Sequence, residues 1–393
     1  MDSMDYIERV IEKEMLREIQ RGKSILLLGP RQTGKTTLLN RLSKDLFVTF
    51  LLPGVRQKYE REPESFVREV LALLESKKKL LIVLDEIQKV PQIFDSIQWL
   101  VDEKKVQFVL SGSSSRKLRK DPTQNLLPGR VVHFHLDPLN LNEFKIKDLE
   151  DELLYGSLPG IKLLKSNQDK EKDLISYVEI YLEDEIRNEA VVRNLPAFGK
   201  FLELAAEESG QIINLRNISR KIGIAHSTVS DYYQILEDTL IAERIEPFTK
   251  GSTRKKLTKS PRYLFFDLGV ARVASHQPPV LTNEARGKAF ESYVGLQILR
   301  MLRNKIPRMN LSFWRDPDGP EVDWIVNKGN EIIPIEVKYT KKPEKKHFYH
   351  LQTFLSEYPQ AKKAYVVCLI DKIQKWDRDC YAIPHSDIGE ILE

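Results

Sequence analysis

The sequence predicts an α/β chain. A parallel-sheet domain built around a phosphate-binding loop comes first. A helical segment, a helix-turn-helix module with a wing, and a second α/β domain follow. Three observations predict this order. GPRQTGKTT, Gly29–Thr37, stands between the apolar run Ser24–Leu28 and a helix-like stretch. Strand-like and helix-like segments alternate as far as residue 136. Towards the C-terminus, Asp323 and the triplet Glu336-x-Lys338 fall on two strand-like runs that read as a hairpin.

The elements of the first segment, 1–136, are expected in this order. Tyr6–Gln20 has helical spacing, with Ile7, Val10, Ile11, Met15 and Ile19 on one face. Ser24–Leu28 is the strand before the loop, and Thr36–Leu46 the helix after it. Phe47–Leu52 reads as a strand, Glu64–Glu75 as a helix, and Leu80–Leu84 as a third strand. Ile93–Asp102 is helical, Val106–Ser111 a fourth strand, and Arg130–Leu136 a fifth. Alternation of this kind implies a parallel sheet whose site lies at the carboxyl ends of its strands.

The loop fits G-x-x-x-x-G-K-[ST], with Gly29, Gly34, Lys35 and Thr36 in the required places. The binding residues expected are Gly29, Pro30, Arg31, Gln32, Thr33, Gly34, Lys35, Thr36 and Thr37. Glycines let the loop curl so that backbone N–H groups face phosphate oxygens. Lys35 is placed to reach the β- and γ-phosphates of ATP, and Thr36 to ligate Mg²⁺. Asp85-Glu86 ends the third strand, fifty residues beyond Lys35. There Asp85 supports Mg²⁺ and Glu86 polarises the attacking water. Ser111, at the next strand's end, is expected to lie between the strand ends and contact the γ-phosphate. Arg116, Arg119 and Arg130 are candidates to stabilise transition-state charge from a neighbouring subunit, with Arg130 in LPGR the first choice.

At 393 residues the chain is long enough for two or three domains. A net charge of +5 is compatible with a polyanionic partner without requiring one. Cys368 and Cys380 have neither disulfide-framework nor zinc-site spacing. Apolar runs such as Leu80–Leu84 are too short to span a bilayer, and Met1–Val10 has no apolar signal core. A reducing cytoplasm is the expected location.

The segment 137–205 opens with the turn DPLNLN and is expected to be helical, over Glu143–Lys147, Glu150–Leu154 and Asp173–Asn188. Residues 206–265 read as a winged helix-turn-helix. Its helices are Asn214–Ile222 and Thr228–Asp238, joined by a tight turn with Ser227 as N-cap. Ser227, Thr228, Ser230, Asp231 and Tyr232 would then face DNA. Between Lys250 and Arg262 the wing carries six Lys or Arg and no Asp or Glu, a phosphate-binding composition.

In the last segment, 266–393, Asn283–Leu302 reads as a long helix carrying Glu291. Leu311–Arg315 is a short strand, and Glu321–Val326 with Ile332–Lys338 a hairpin turning near Lys328-Gly329-Asn330. Side chains two apart share a strand face, so Glu336 and Lys338 point one way. Helix Glu291, strand Asp323 and Glu336-x-Lys338 resemble the PD-(D/E)xK nuclease fold. The resemblance implies that carboxylates hold a divalent ion and that lysine stabilises charge or helps activate water. Departing from that pattern, Glu321-Val322 precedes the aspartate.

The phosphate loop, DEIQ, the strand end LSGSS and LPGR, in this order, resemble the AAA+ ATPases. More narrowly they resemble a prokaryotic group with a fused C-terminal region of unknown function. GSLP (Gly156–Pro159), YLEDEI (Tyr181–Ile186) and GKAFE (Gly287–Glu291) fit the same group. The resemblance implies an AAA+ P-loop NTPase domain with a helical lid, working as an oligomeric nucleotide-driven machine or switch. Here it is expected as a homo-oligomer with ATP at its subunit interface. The basic wing and Asp323, Glu336 and Lys338 are what direct its ATP hydrolysis to DNA. A nucleotide-controlled protein-interaction switch without nuclease activity, or a DNA junction motor, are the alternatives.

Overall fold

Two units emerge when the chain is divided by its own contacts. One is 1–137 with 184–191 and 238–241; the other holds 138–183, 192–237 and 242–393. The computed structural model describes residues 6–104, 106–114, 131–182, 194–249, 257–303, 309–317 and 319–392.

The first unit is a five-stranded parallel sheet in the order β2-β3-β4-β1-β5. Its strands are β1 (Ser24–Leu28), β2 (Leu46–Thr49), β3 (Leu81–Asp85), β4 (Gln107–Gly112) and β5 (Val131–His135). Alternate side chains fill two cores, one on each face. Ile25, Leu27, Val83 and Val109 pack with Ile11, Met15 and Leu38. Leu26, Ile82, Leu84, Phe108 and Leu110 pack with Phe66 and Ile97. Burial on both faces is what a parallel sheet covered by helices requires. Because β4 lies between β1 and β3, the end of β4 stands between the phosphate loop and Asp85-Glu86.

Several local expectations change here. The first helix begins at Val10, not Tyr6, because Arg9 is extended and its guanidinium is drawn to the carbonyls of Thr33 and Asp137. The helix after the loop stops at Arg41. Asp45 pins the chain beyond it to β3 by exchanging bonds with Leu81, which turns Leu46 into β2. Past Thr49 the chain leaves the sheet and enters a helix that the sequence did not suggest, Pro53–Arg61, with proline in its first turn.

In the second unit Glu143–Lys147 is not helical. The Asn140 carbonyl accepts from the amides of Glu143 and Phe144 and closes a turn instead. Helices Leu149–Tyr155, Pro159–Leu163 and Asn167–Ser176 follow, and the last passes into a π-helical turn, Tyr177–Leu182. The remainder of the expected helix, to Asn188, lies outside the described residues.

Helices Leu195–Glu207, Leu215–Ile222 and His226–Asp238 then precede a two-stranded antiparallel sheet, β6 (Ala242–Ile245) with β7 (Arg262–Phe265). Asn214 caps the second helix through the Asn217 amide, and Gly223, at φ 81°, ends it. The third helix begins at His226, so Ser227 lies inside it and is not its cap. Tyr232 is buried against Phe198 and Phe201 and belongs to the core, whereas Ser227, Ser230 and Asp231 are exposed.

The C-terminal sheet has six strands in the order β12-β13-β11-β10-β9-β8. They are β8 (Asn310–Arg315), β9 (Glu321–Asn327), β10 (Ile332–Val337), β11 (Ala364–Cys368), β12 (Gln374–Lys375) and β13 (Cys380–Pro384). The hairpin is present as β9 and β10, which pair antiparallel, and β10 pairs parallel with β11. Helix Asn283–Arg303 packs its Phe290, Val294 and Ile298 with Trp324, Val326 and Ile335 of the sheet. Helix Tyr349–Glu357 contributes Leu351 and Phe354 to a second core with Val322, Ile325 and Val366. Arg300 ties this domain to the helical segment. Its guanidinium donates to the carbonyls of Leu139 and Phe266 and to Ser157 Oγ, at 2.6–2.8 Å. The expected boundaries at 205 and 265 therefore fall within one unit.

Candidate nucleotide site and carboxylate cluster

The phosphate loop leaves β1 at Gly29, where the chain runs so close to the end of β5 that a Cβ would stand 2.3 Å from the Leu136 carbonyl oxygen. Gly34 has φ 95°, a conformation that L side chains rarely adopt, and from it the helix Lys35–Arg41 begins. Two further bonds brace the loop: Thr33 Oγ1 to the Pro30 carbonyl, 2.9 Å, and Arg9 Nη1 to the Thr33 carbonyl, 2.7 Å. Lys35, only 5% exposed, lays its ammonium across the loop against the carbonyls of Gly29 and Pro30, at 2.8 and 2.9 Å.

Across from the loop, β3 delivers Asp85, fully buried, and Glu86, 6% exposed. Neutral hydroxyls surround Asp85. Thr36 Oγ1 donates to its Oδ2 at 3.0 Å, Thr49 Oγ1 to the same oxygen at 3.3 Å, and Ser111 Oγ to Oδ1. The fold thus joins the loop threonine to the strand-end aspartate, 49 residues apart. Their hard oxygen donors fit Mg²⁺, which takes one or two carboxylates and leaves its other positions to phosphate and water.

Glu86 has φ 59°, in the left-handed region, a strained conformation of the kind that collects at functional sites. Its carboxylate accepts from Gln88 Nε2 at 2.6 Å and from Ser113 Oγ at 3.0 Å. Ser111 does stand between the strand ends, but its hydroxyl is occupied with Asp85 and with the Glu86 amide. Arg116, Arg119 and Arg130 lie outside the described residues.

The second acidic group is also brought together by the fold. Glu291, Asp323 and Glu336 come from helix Asn283–Arg303, β9 and β10. Lys338 Nζ lies 2.6 Å from Glu336 Oε1 and 4.0 Å from Asp323 Oδ2. Asp323 Oδ2 also accepts from the Val337 amide. Burial pushes all three carboxyl groups up. For Glu291 burial and then the Asp323 charge carry it to about 7, and for Glu336 burial and the Asp323 charge carry it well above the ordinary range. Burial would lower the Lys338 ammonium, but Asp323 and Glu336 outweigh that and raise it.

Sequence reasoning missed Arg262. Assigned to the basic wing, it is instead 4% exposed and donates to Glu291 Oε1 at 2.7 Å and to the Asp323 carbonyl at 3.4 Å. The one available signal was its position at the head of the apolar strand YLFF. Among the described residues no group of three or more His, Cys, Asp or Glu is placed to hold a metal ion. With Arg262 and Lys338 on these carboxylates, the cluster as it stands does not fit a divalent cation.

Residues 21–145 match the AAA domain family. This covers the phosphate loop, Asp85-Glu86 and Ser111. Beyond the AAA domain, residues 146–280 and 286–388 match two domains of unknown function, DUF8612 and DUF4143. The uncharacterized protein Rv2008c of Mycobacterium tuberculosis is 26% identical over 331 residues, covering 83% of this chain and 73% of its own. The uncharacterized protein MJ1637 of Methanocaldococcus jannaschii is 24% identical over 390 residues, covering 87% and 80%. Among solved structures, that of the Aeropyrum pernix ORC1 protein in complex with DNA aligns with 15% identity and a TM-score of 0.31, over 70% of this chain and 95% of that one. Among the described residues no helix is long and apolar enough to cross a membrane.

Proposed function

We propose that the chain is an ATP-binding and ATP-hydrolysing AAA+ ATPase that acts on DNA as a homo-oligomer. The observation that carries the ATPase reading is the 3.0 Å bond from Thr36 Oγ1 to Asp85 Oδ2, which sets the loop beside a carboxylate pair. Lys35 grips the β- and γ-phosphates, and the loop amides orient them. Thr36 and Asp85 would hold Mg²⁺, which when bound offsets phosphate charge. Glu86, steadied by Gln88 and Ser113, orients the attacking water and draws on its proton. Arg130 of a neighbouring subunit is the proposed source of the transition-state cation.

Support for DNA as the partner comes from the middle of the chain. Three helices followed by an antiparallel strand pair fit a winged helix, and Ser227, Ser230 and Asp231 are exposed on its last helix. The stretch between its strands carries Lys250, Arg254, Lys255, Lys256 and Lys259. Strand order and the acidic cluster fit a PD-(D/E)xK-like fold for the C-terminal domain. A specific observation favours the second reading, a nucleotide-controlled switch without cleavage: two of the three carboxylates, Glu291 and Glu336, are already paired with internal cations.

One assay separates these readings. ATP turnover is measured in Mg²⁺ with and without a panel of DNA forms, while strand integrity is followed. The ATPase reading expects turnover that falls about 100-fold or more in Lys35→Ala. Unchanged turnover in that variant removes it. DNA affinity that drops steeply with salt supports the DNA reading, and no binding at low salt leaves the switch.

A further inference from the structure

The carboxylate cluster of the C-terminal domain has an unusual member. Arg262 does not belong to the helix, β9 or β10 that supply the acids; it begins β7. Its backbone is fixed there by pairing with Ile245 and by a bridge to Ile212. Its guanidinium lies over two aromatic rings, 4.6 Å from the centre of Phe313 and 5.3 Å from that of Trp324. Cation–π contact at these distances is attractive and favours one orientation of the side chain. Trp324 is itself held, since its Nε1 donates to the Glu291 carbonyl and its ring fills the space that a side chain on Gly295 would need. A cation so constrained is built into the site.

Formal charge points the same way. A divalent ion at the cluster would hold all three carboxyl groups ionised against the upward push of burial. Glu291, Asp323 and Glu336 then bring three negative charges, and Arg262 and Lys338 two positive ones, which leaves −1 before the ion is counted. A divalent ion added beside both cations would leave a buried +1. The same ion in place of Arg262 would leave zero. Buried charge is tolerated when balanced and is costly otherwise. The cluster also retains an unused ligand. Glu336 Oε2 is buried without a hydrogen-bond partner, although the residue is only 5% exposed. Donor capacity for a cation is therefore present, and arginine holds the charge that such an ion would supply.

We infer that Arg262 is the resident cation of this cluster, standing electrostatically where a divalent metal would, so that the cluster takes such an ion only when Arg262 is removed. The wing thereby contributes a residue that keeps the C-terminal carboxylates metal-free. This inference is independent of the ATPase reading, because no residue of the nucleotide site enters it.

The test uses the full chain, without nucleotide, and Mn²⁺ as probe, followed by the loss of free-ion paramagnetic signal. Wild type is expected to show no site that depends on Glu336 at Mn²⁺ concentrations up to about 1 mM. Arg262→Met, which keeps the length and removes the charge, is expected to bind one Mn²⁺ about tenfold or more tightly than wild type. The gain is expected to vanish in Arg262→Met/Glu336→Gln. Equal affinity in wild type and Arg262→Met, or no gain in a folded Arg262→Met, overturns the inference. A second measurement needs no Arg262 variant. Urea unfolding of wild type and Glu336→Gln is compared with and without Mn²⁺, since an ion that binds the native state stabilises it. Stabilisation of wild type that Glu336→Gln abolishes also overturns the inference, and equal curves support it.

Discussion

The two acidic sites of this chain solve the same electrostatic problem in opposite ways. At the AAA domain, Asp85 and Glu86 are buried among hydroxyls and an amide: Thr36, Thr49, Ser111, Ser113 and Gln88. Neutral donors satisfy lone pairs without cancelling charge, so the pair still attracts a cation from outside. In the C-terminal domain, Glu291 and Glu336 are each paired with an internal cation, Arg262 or Lys338. Charge is cancelled within the fold, and the demand for an external ion falls. Equally acidic sequences can thus encode a site left open to an external cation or one that closes itself; the partners decide which.

The largest effect expected from this contrast is on hydrolysis. Glu86→Gln keeps shape and partners but removes the proposed base. ATP turnover is expected to fall by about 10³-fold. Binding of a fluorescent ATP analogue should stay within a few-fold, because Lys35 and the loop are untouched. A variant that still turns over ATP at the wild-type rate would remove Glu86 from the chemistry. The matching change in the C-terminal domain, Glu336→Gln, should leave ATP turnover unaltered.

Much of the first site was legible in the sequence, because its chemistry sits in contiguous motifs. The loop and the Asp-Glu pair each occupy a few consecutive residues at strand ends, and strand alternation places them. Ser111 could be located between the strands for the same reason, but not the direction of its hydroxyl, which depends on where Asp85 and the Glu86 amide meet it. The second site was legible as a spacing of acids. Arg262 was hidden because its contact to Glu291 joins residues 29 apart, and because it ends a stretch, 250–262, whose basic composition suggested solvent and phosphate. Tyr232 was misread for a related reason. A helix's first turns look available for recognition until the helix Leu195–Glu207, two elements earlier in the chain, supplies Phe198 and Phe201 to cover one side.

A second, smaller effect concerns pH. Glu291 titrates near 7 in the folded protein, chiefly from burial and then from the Asp323 charge, against an ordinary 4.5. Its folded form holds the proton more tightly than its unfolded form. The associated stability is fully present below about pH 4.5 and is lost as pH rises through 7, to the extent of about 3 kcal/mol. Glu291→Gln cannot titrate. Between pH 5 and pH 8, wild type should therefore lose more urea stability than this variant. The Glu291 charge also helps to raise Glu336, so the difference between the profiles reports Glu291 together with its coupling to that neighbour. Parallel profiles would mean that Arg262 offsets burial more fully than the direction of the shift implies.

The smallest effect sharpens the account of the nucleotide site. Ser111 Oγ donates to Asp85 Oδ1 and accepts from the Glu86 amide at 3.2 Å, within a fully buried setting. Ser111→Ala removes both bonds and leaves a buried N–H and one carboxylate oxygen short of a partner. The expected cost is about 1–2 kcal/mol in urea unfolding. A purely structural role predicts that loss and no more. If Ser111 also aligns the carboxylates for catalysis, kcat for ATP falls while KM holds, because binding rests on Lys35 and the loop. Ser111→Thr retains the hydroxyl and should recover kcat where the added methyl is tolerated. A rise in KM with kcat unchanged would instead assign Ser111 to nucleotide binding, and neutral donors at this site would then serve the ligand directly rather than hold the acids.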